Sequence, residues 1–242
     1  MLHELLASLD HLDGQLLIFF NSHHTQWADN FMMMFSSKYV WIPMYLIFTF
    51  MVFRCYDLKR ALVVLLGIGV AIALADQLCA TLIRQAVERL RPSNPENPLS
   101  AFITVVNDYR GGRYGFPSCH AANSFALVVY LSMLLRRRRF IIFLIIWAVV
   151  NCYSRLYLGV HYPGDILVGA IIGSCVGLLC ASLVRMIFSS MSQTVALPRN
   201  NESVTLNTLV GPSSVRLSLH DIGLLSGIAT AAILGIIALL AG

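Results

Sequence analysis

From residue 222 to residue 242 the chain carries no charged side chain, and residues 166–184 form a second such stretch. An apolar helix needs ~20 residues to cross a bilayer, so runs of this kind constrain the fold more than any other feature. Further runs lie at 40–53, 61–83, 121–135 and 140–153; the first is short and must borrow flanking residues, and the second is interrupted by Asp76 and Gln77. The expectation is an all-α, polytopic membrane helix bundle with about six transmembrane helices. Only 12% of residues are charged, against about 25% in a soluble domain. The net charge of +5 is spread between apolar runs rather than along one face, which suits membrane topology better than nucleic-acid binding. The six cysteines have no CxxC spacing and read as small apolar residues, not as a disulfide framework or zinc site.

The segments divide as follows. Residues 1–38 mix apolar and acidic positions, at 2–20 and again at 27–35 around Asp29, and read as amphipathic helices at the membrane interface. A first, over-polar span is the competing reading. The N-terminus lacks a basic n-region, so no cleavable signal peptide is expected. Residues 39–188 form the membrane core, 189–220 a polar cytoplasmic linker, and 221–242 a C-terminal transmembrane helix. Arg54, Lys59, Arg60, the arginines at 136–139 and Arg185 all fall on one side of such a bundle, which the positive-inside rule makes cytoplasmic. The sequon Asn201-Glu202-Ser203 would then be cytoplasmic and is discounted.

Three polar clusters gather on the opposite side. Arg84 and Arg91 are seven residues apart, two helical turns, so both would project from one face before Pro92 stops the helix. Their guanidinium groups can bind phosphate with paired hydrogen bonds, or simply snorkel to the interface. Pro117-Ser118-Cys119-His120 opens a span; Ser118 is a candidate N-cap, and His120 is placed to donate a proton or merely to sit at the interface. His161 and Asp165 are four apart around Pro163-Gly164. A carboxylate on one imidazole nitrogen frees the other to attack, though such a pair can also cap a helix or bind metal. Two ligands without a nearby acidic cluster make a metal site the weaker reading. Asp76 is expected to hydrogen-bond a neighbouring span with Gln77, and the arginines at 136–139 to anchor topology. Arg110 and Arg113 could bind a headgroup or flank a flexible turn.

Taken together, Arg84-x6-Arg91-Pro92, Pro117-Ser118-Cys119-His120 and Ser154-Arg155-x5-His161-x3-Asp165 resemble the motifs of the type 2 phosphatidic acid phosphatase (PAP2) family. The match covers 84–165 directly. The resemblance implies that His161 is the nucleophile, forming a phosphohistidine, oriented by Asp165, and that His120 is the general acid. It implies that Arg84, Arg91, Ser118, Arg155 and the Cys119 backbone N–H hold phosphoryl oxygens, with no metal and no cofactor. The first motif usually begins with Lys and the second usually has Gly at the third position; here Arg84 and Cys119 stand there. The chain is also similar to bacterial inner-membrane members of the family. That implies a membrane lipid phosphate as substrate, a bilayer as surroundings, a site facing the periplasm, and no obligate protein partner. Lipid A leads as substrate, undecaprenyl pyrophosphate follows, then phosphatidylglycerophosphate or phosphatidic acid. A catalytically silent lipid-binding or transport protein is the reading from another class, and the intact His120, His161 and Asp165 argue against it.

Overall fold

Gly169, Gly173 and Gly177 recur every fourth residue in the apolar run that begins near residue 166. That spacing puts three side-chain-free positions on one helical face, which lets another backbone approach closely. In the computed structural model, which describes residues 2–191, 203–206 and 215–241, this face meets the helix that follows His120. A Cβ added at Gly169, Gly173 or Gly177 would run into the backbone at Ser118, Ala122 or Ala126 respectively. The two helices are α6 (Cys119–Leu135) and α8 (Pro163–Met191), and their pairing is the axis of the bundle. Gly173→Leu is therefore expected to destabilise the fold by about 1–3 kcal/mol, because the obstacle is backbone and cannot swing aside. Thermal unfolding in detergent checks it, with Gly235→Ala as the neutral comparison, since a Cβ there meets nothing within 4 Å.

Around this pair stand α3 (Ile42–Cys55), α4 (Leu58–Gln77), α7 (Arg138–Tyr157) and α9 (Leu219–Leu240). The α4 helix continues through a π-helical segment, Leu78–Ile83, into the short α5 (Arg84–Val87). Five segments are long and apolar enough to cross a membrane: Lys38–Cys55, Leu58–Val87, Arg138–Tyr157, Pro163–Met191 and Asp221–Leu240. With its 17 residues, α6 is about 26 Å long, an apolar helix shorter than these five that corresponds to the expected run at 121–135. Leu46, Leu62, Leu66, Ile146, Leu167 and Leu239 lie exposed on the outer faces, as spans in contact with lipid require. The interior is cemented by aromatic edges, among them Trp41 against Trp147 at 5.7 Å and Phe35 against Trp41 at 4.7 Å.

The expected run boundaries are shorter than the helices, because polar caps extend them. Asp57 caps α4 through the Arg60 N–H at 3.1 Å, and α8 runs on to Met191, past the expected boundary at 188. The 189–220 segment is not only linker. Its described parts include β1 (Ser203–Leu206) and β2 (Val215–Ser218), paired antiparallel, an addition to the all-α expectation. Residues 192–202 and 207–214, including Asn201 and Glu202 of the sequon, lie outside the described residues.

Residues 1–38 form α1 (Leu2–Phe20) and α2 (Gln26–Phe35), neither of which is among the segments long and apolar enough to cross. They pack at the end of the bundle where α7 stops and α8 starts. Asn21 bonds both the Tyr157 carbonyl (2.6 Å) and the Thr104 backbone (2.8 and 3.1 Å), tying the outer loop down. The Trp27 indole N–H donates to the Gly235 carbonyl at 3.0 Å, joining α2 to α9. The basic turns at Tyr56–Asp57 and Arg136–Arg137 lie at the opposite end, where Arg60 rests 5.9 Å over the Phe188 ring.

Candidate active site

The three clusters meet because each leaves a helix end at the same level. Arg84 reaches across from α5 to the start of α6, where its Nη2 donates to the Pro117 carbonyl and to Cys119 Sγ, both at 3.0 Å. Arg91 arrives by a route that the sequence spacing does not foresee. The helix ends at Val87, Glu88 takes a left-handed conformation (φ 49°), and Arg91 follows in an extended strand-like stretch. That stretch pairs with the chain before Pro117, through Arg91 N–H to the Arg113 carbonyl (3.0 Å) and Gly115 N–H to the Arg89 carbonyl (2.9 Å). The expectation of one shared helical face for Arg84 and Arg91 is thus wrong, yet the two converge through tertiary packing.

Ser118 is the N-cap of α6, its hydroxyl facing the Ala121 N–H at 3.4 Å, as expected. Its own N–H donates to the Asp165 carbonyl at 2.9 Å, which locks the start of α6 to the start of α8. Cys119 has a helical backbone, so a residue other than glycine is accommodated there without strain. After α7 the chain reverses at Gly159 (φ 67°), held by Leu158 N–H to Ser154 O and Val160 N–H to Arg155 O. That turn delivers His161 to the head of α8, where Asp165 waits one helical turn on.

His161 and Asp165 are buried completely. The imidazole Nδ1 lies 3.2 Å from Asp165 Oδ2, and Nε2 lies 2.9 Å from Arg91 Nη1. Guanidinium can only donate, so Nε2 must be the bare acceptor and Nδ1 must carry the hydrogen toward the carboxylate. The lone pair of Nε2 is thereby presented on the side away from Asp165. Gly115 supplies the room: a Cβ there would come within 3.1 Å of Asp165 Oδ2 and 3.6 Å of His161 Nδ1.

Positive charge dominates the surroundings. Arg155, 2% exposed, donates to the Ser36 hydroxyl and, at 3.1 Å, to Tyr109 Oη. The Nε groups of Arg84, Arg91 and Arg155 are all buried and have no partner among the described residues. Burial, then the neighbouring Arg155 and Arg84, push the Arg91 pKa down to about 10. Burial, then Arg91, Arg155 and Arg84, hold His161 well below its ordinary 6.5, so it is neutral at neutral pH. An unfolded chain takes up this proton as pH falls through about 6.5 while the folded one does not, so stability must drop on that side. The unfolding midpoint in detergent is expected to fall between about pH 7 and about pH 5, with the His161 share missing in His161→Gln.

A cavity of about 800 Å³ opens onto these groups and continues into the bundle between α3, α4, α6 and α7. Arg84, Arg91, Cys119, His120 and His161 line its polar end, and Tyr45, Phe48, Leu65, Ile72 and Leu131 its apolar depth. Arg155, Ser118 and Asp165 stand behind that wall. Asp76 accepts from Asn123 of α6 at 3.2 Å, the expected contact between spans, but Gln77 turns instead to Thr81 within its own helix. Arg110 and Arg113 are engaged in loop ion pairs with Asp108 (3.2 Å) and Glu96 (2.8 Å).

Sequence reasoning missed Arg89, Asp10, Asp13, Ser36 and Tyr109. Arg89 sits between the two arginines of the first motif, and its Nη1 bonds Asp165 Oδ1 at 3.0 Å. The only signal for Asp10 and Asp13 was their three-residue spacing on one face of α1, which the interfacial reading absorbed.

A transmembrane helical bundle with a buried imidazole–carboxylate pair ringed by arginines defines the class. The chain belongs to the PAP2 superfamily, whose sequence pattern matches residues 60–189. A lipid A 4'-phosphatase of Bacteroides thetaiotaomicron is 43% identical over 194 residues, covering 80% of this chain and 86% of that protein. One of Porphyromonas gingivalis, with the same description, is 31% identical over 69% of this chain and 70% of its own length. The fold is that of the crystal structure of Aquifex aeolicus LpxE, at a TM-score of 0.53 and 24% identity, covering 69% of this chain and 93% of that one.

Proposed function

We propose that this protein is a membrane lipid phosphatase that removes a phosphate from lipid A through a phosphohistidine intermediate, on the non-cytoplasmic face of a bacterial inner membrane. The observation that carries the reading is the neutral His161, its Nε2 lone pair on Arg91 with Arg84 and Arg155 near enough to act on its charge, none of the three having a carboxylate partner among the described residues. Such a ring suits a phosphoryl group whose charge spreads over its oxygens in the transition state. Lipid A as the substrate is supported by the two relatives that carry that description.

Substrate phosphate draws Arg91 off Nε2 and onto a phosphoryl oxygen, with Arg84, Arg155 and the start of α6 at Cys119 completing the cradle. The freed Nε2 attacks phosphorus; the N–P bond forms as the bond from phosphorus to the lipid oxygen breaks. His120 gives that oxygen its proton, and Asp165 stabilises the positive charge on His161. A water then attacks phosphorus, His120 takes its proton, the N–P bond breaks and phosphate leaves. The apolar depth of the cavity receives the acyl portion of the lipid. Residues 1–38 lie at the interface: Leu5, Leu9, Leu12, Leu16 and Phe19 form an exposed apolar stripe along α1. The site faces away from the cytoplasm because Arg54, Lys59, Arg60, the arginines at 136–139 and Arg185 gather at the other end.

Phosphate release by the purified protein in detergent with EDTA, offered lipid A, undecaprenyl pyrophosphate and phosphatidylglycerophosphate in parallel, tests this. Release from lipid A is expected. Preference for either of the others would redirect the substrate, and silence on all of them by folded protein would favour a binding protein.

A further inference from the structure

Three carboxylates converge on one arginine beside the proposed nucleophile. Arg89 Nη1 donates to Asp165 Oδ1 at 3.0 Å and to Asp13 Oδ2 at 2.7 Å, and Nη2 donates to Asp10 Oδ1 at 2.7 Å. The flat guanidinium lies over the Tyr162 ring, 3.7 Å from its centre. Asp13 also reaches the first turn of α8, where Oδ1 accepts the Gly164 N–H at 2.7 Å. A closed circuit results: Asp13 to Arg89, Arg89 to Asp165, one residue back to Gly164, and Gly164 to Asp13.

We infer that Arg89, gripped by Asp13 and Asp10 of α1, is a positioning residue for the proposed reaction: it holds the Asp165 carboxylate on His161 and makes the N-terminal helix part of the catalytic apparatus. This rests on the function proposed above. Asp165 Oδ2 is already committed to His161 Nδ1 (3.2 Å) and the Tyr162 N–H (3.0 Å). Only Oδ1 remains, and Arg89 takes it, so both oxygens are fixed and the plane of the carboxylate is set. Asp165 is fully buried, where an uncompensated charge is costly. Burial works against the charge of Arg89, but Asp165 and Asp13 outweigh it and raise its pKa. Both terminal nitrogens of Arg89 are committed to carboxylates, unlike those of Arg84, Arg91 and Arg155, so its effect on substrate passes through Asp165. Asp10 is 70% exposed and contributes the least of the three.

Single-turnover phosphate release by the full-length protein, with kcat and KM from steady state, tests the role in Arg89→Gln, Arg89→Lys and Asp13→Asn. Arg89→Gln should lower kcat about 10- to 100-fold, the cost of a small misplacement near the reacting atoms, and leave KM within about twofold. Arg89→Lys should recover part of that, and Asp13→Asn should show a smaller loss of the same kind. In an Asp165→Asn background, Arg89→Gln should cost no more than about twofold further, because the partner it acts through has already changed. A full additional loss in that background, or a loss carried by KM, would overturn the inference. If Arg89→Gln does not fold, judged by its melting in detergent, Asp13→Asn carries the same cycle to the same two outcomes. A wild-type protein inactive on every lipid phosphate would instead sink the proposed function.

Discussion

Replacing His161 with glutamine is expected to lower phosphate release about 10⁴-fold or more, the cost of removing a nucleophile with the rest of the site in place. Glutamine is the informative choice because His161 is fully buried between Asp165 and Arg91. Its amide can still donate toward the carboxylate and accept from the guanidinium, so the two charges are not left bare. Folding and phosphate binding should therefore survive while covalent chemistry does not. The arginine ring would still favour direct attack by water, which sets the small residual rate. Protein quenched in alkaline detergent, where the N–P bond of phosphohistidine survives, should show no phosphoryl label in the variant and a labelled histidine in the wild type. If His161→Gln kept within about tenfold of the wild-type rate, the covalent route would be wrong and water would have to be the attacking group.

The fold was largely legible because lipid leaves few choices: charge-free runs of helical length have to be spans, and the run at 166–184 falls inside α8 while the one that begins at 222 follows α9 to its end at Leu240. Ends were less legible, since a cap such as Asp57 or a charge such as Arg185 inside α8 looks like the end of a span by hydropathy. The chemistry of the site could be read where one motif carries it, as with Ser118 capping α6 and His161 paired to Asp165 four residues on. It could not be read where contacts join distant segments. Nothing about Glu88 marks a left-handed residue, so the spacing of Arg84 and Arg91 pointed to two helical turns that do not exist. Likewise Asp13 and Arg89 are 76 positions apart, and an acidic residue on an amphipathic helix is indistinguishable by sequence from a solvated one.

Replacing His120 with alanine should cost about 10²- to 10⁴-fold on a lipid phosphate, the usual worth of a general acid. On p-nitrophenyl phosphate the first step should scarcely change. The difference lies in the leaving oxygen. A sugar alkoxide is strongly basic and needs a proton as its bond to phosphorus breaks, whereas p-nitrophenolate departs readily without one. His120 sits in the first turn of α6 and shares the cavity wall with Arg84 and His161, so its removal leaves the phosphate cradle and the nucleophile in place. The second step still needs His120 to take a proton from the attacking water, whichever substrate was used. His120→Ala should therefore release nitrophenolate in a burst of about one equivalent per enzyme, followed by slow turnover limited by hydrolysis of the phosphohistidine. Rapid-quench kinetics would show it. Equal losses on both substrates with no burst would mean that His120 does not serve the leaving group, and the proton would have to come through water in the cavity. A burst confined to the activated substrate would assign both proton transfers to one imidazole, since the same group protonates the first oxygen to leave and deprotonates the next to arrive.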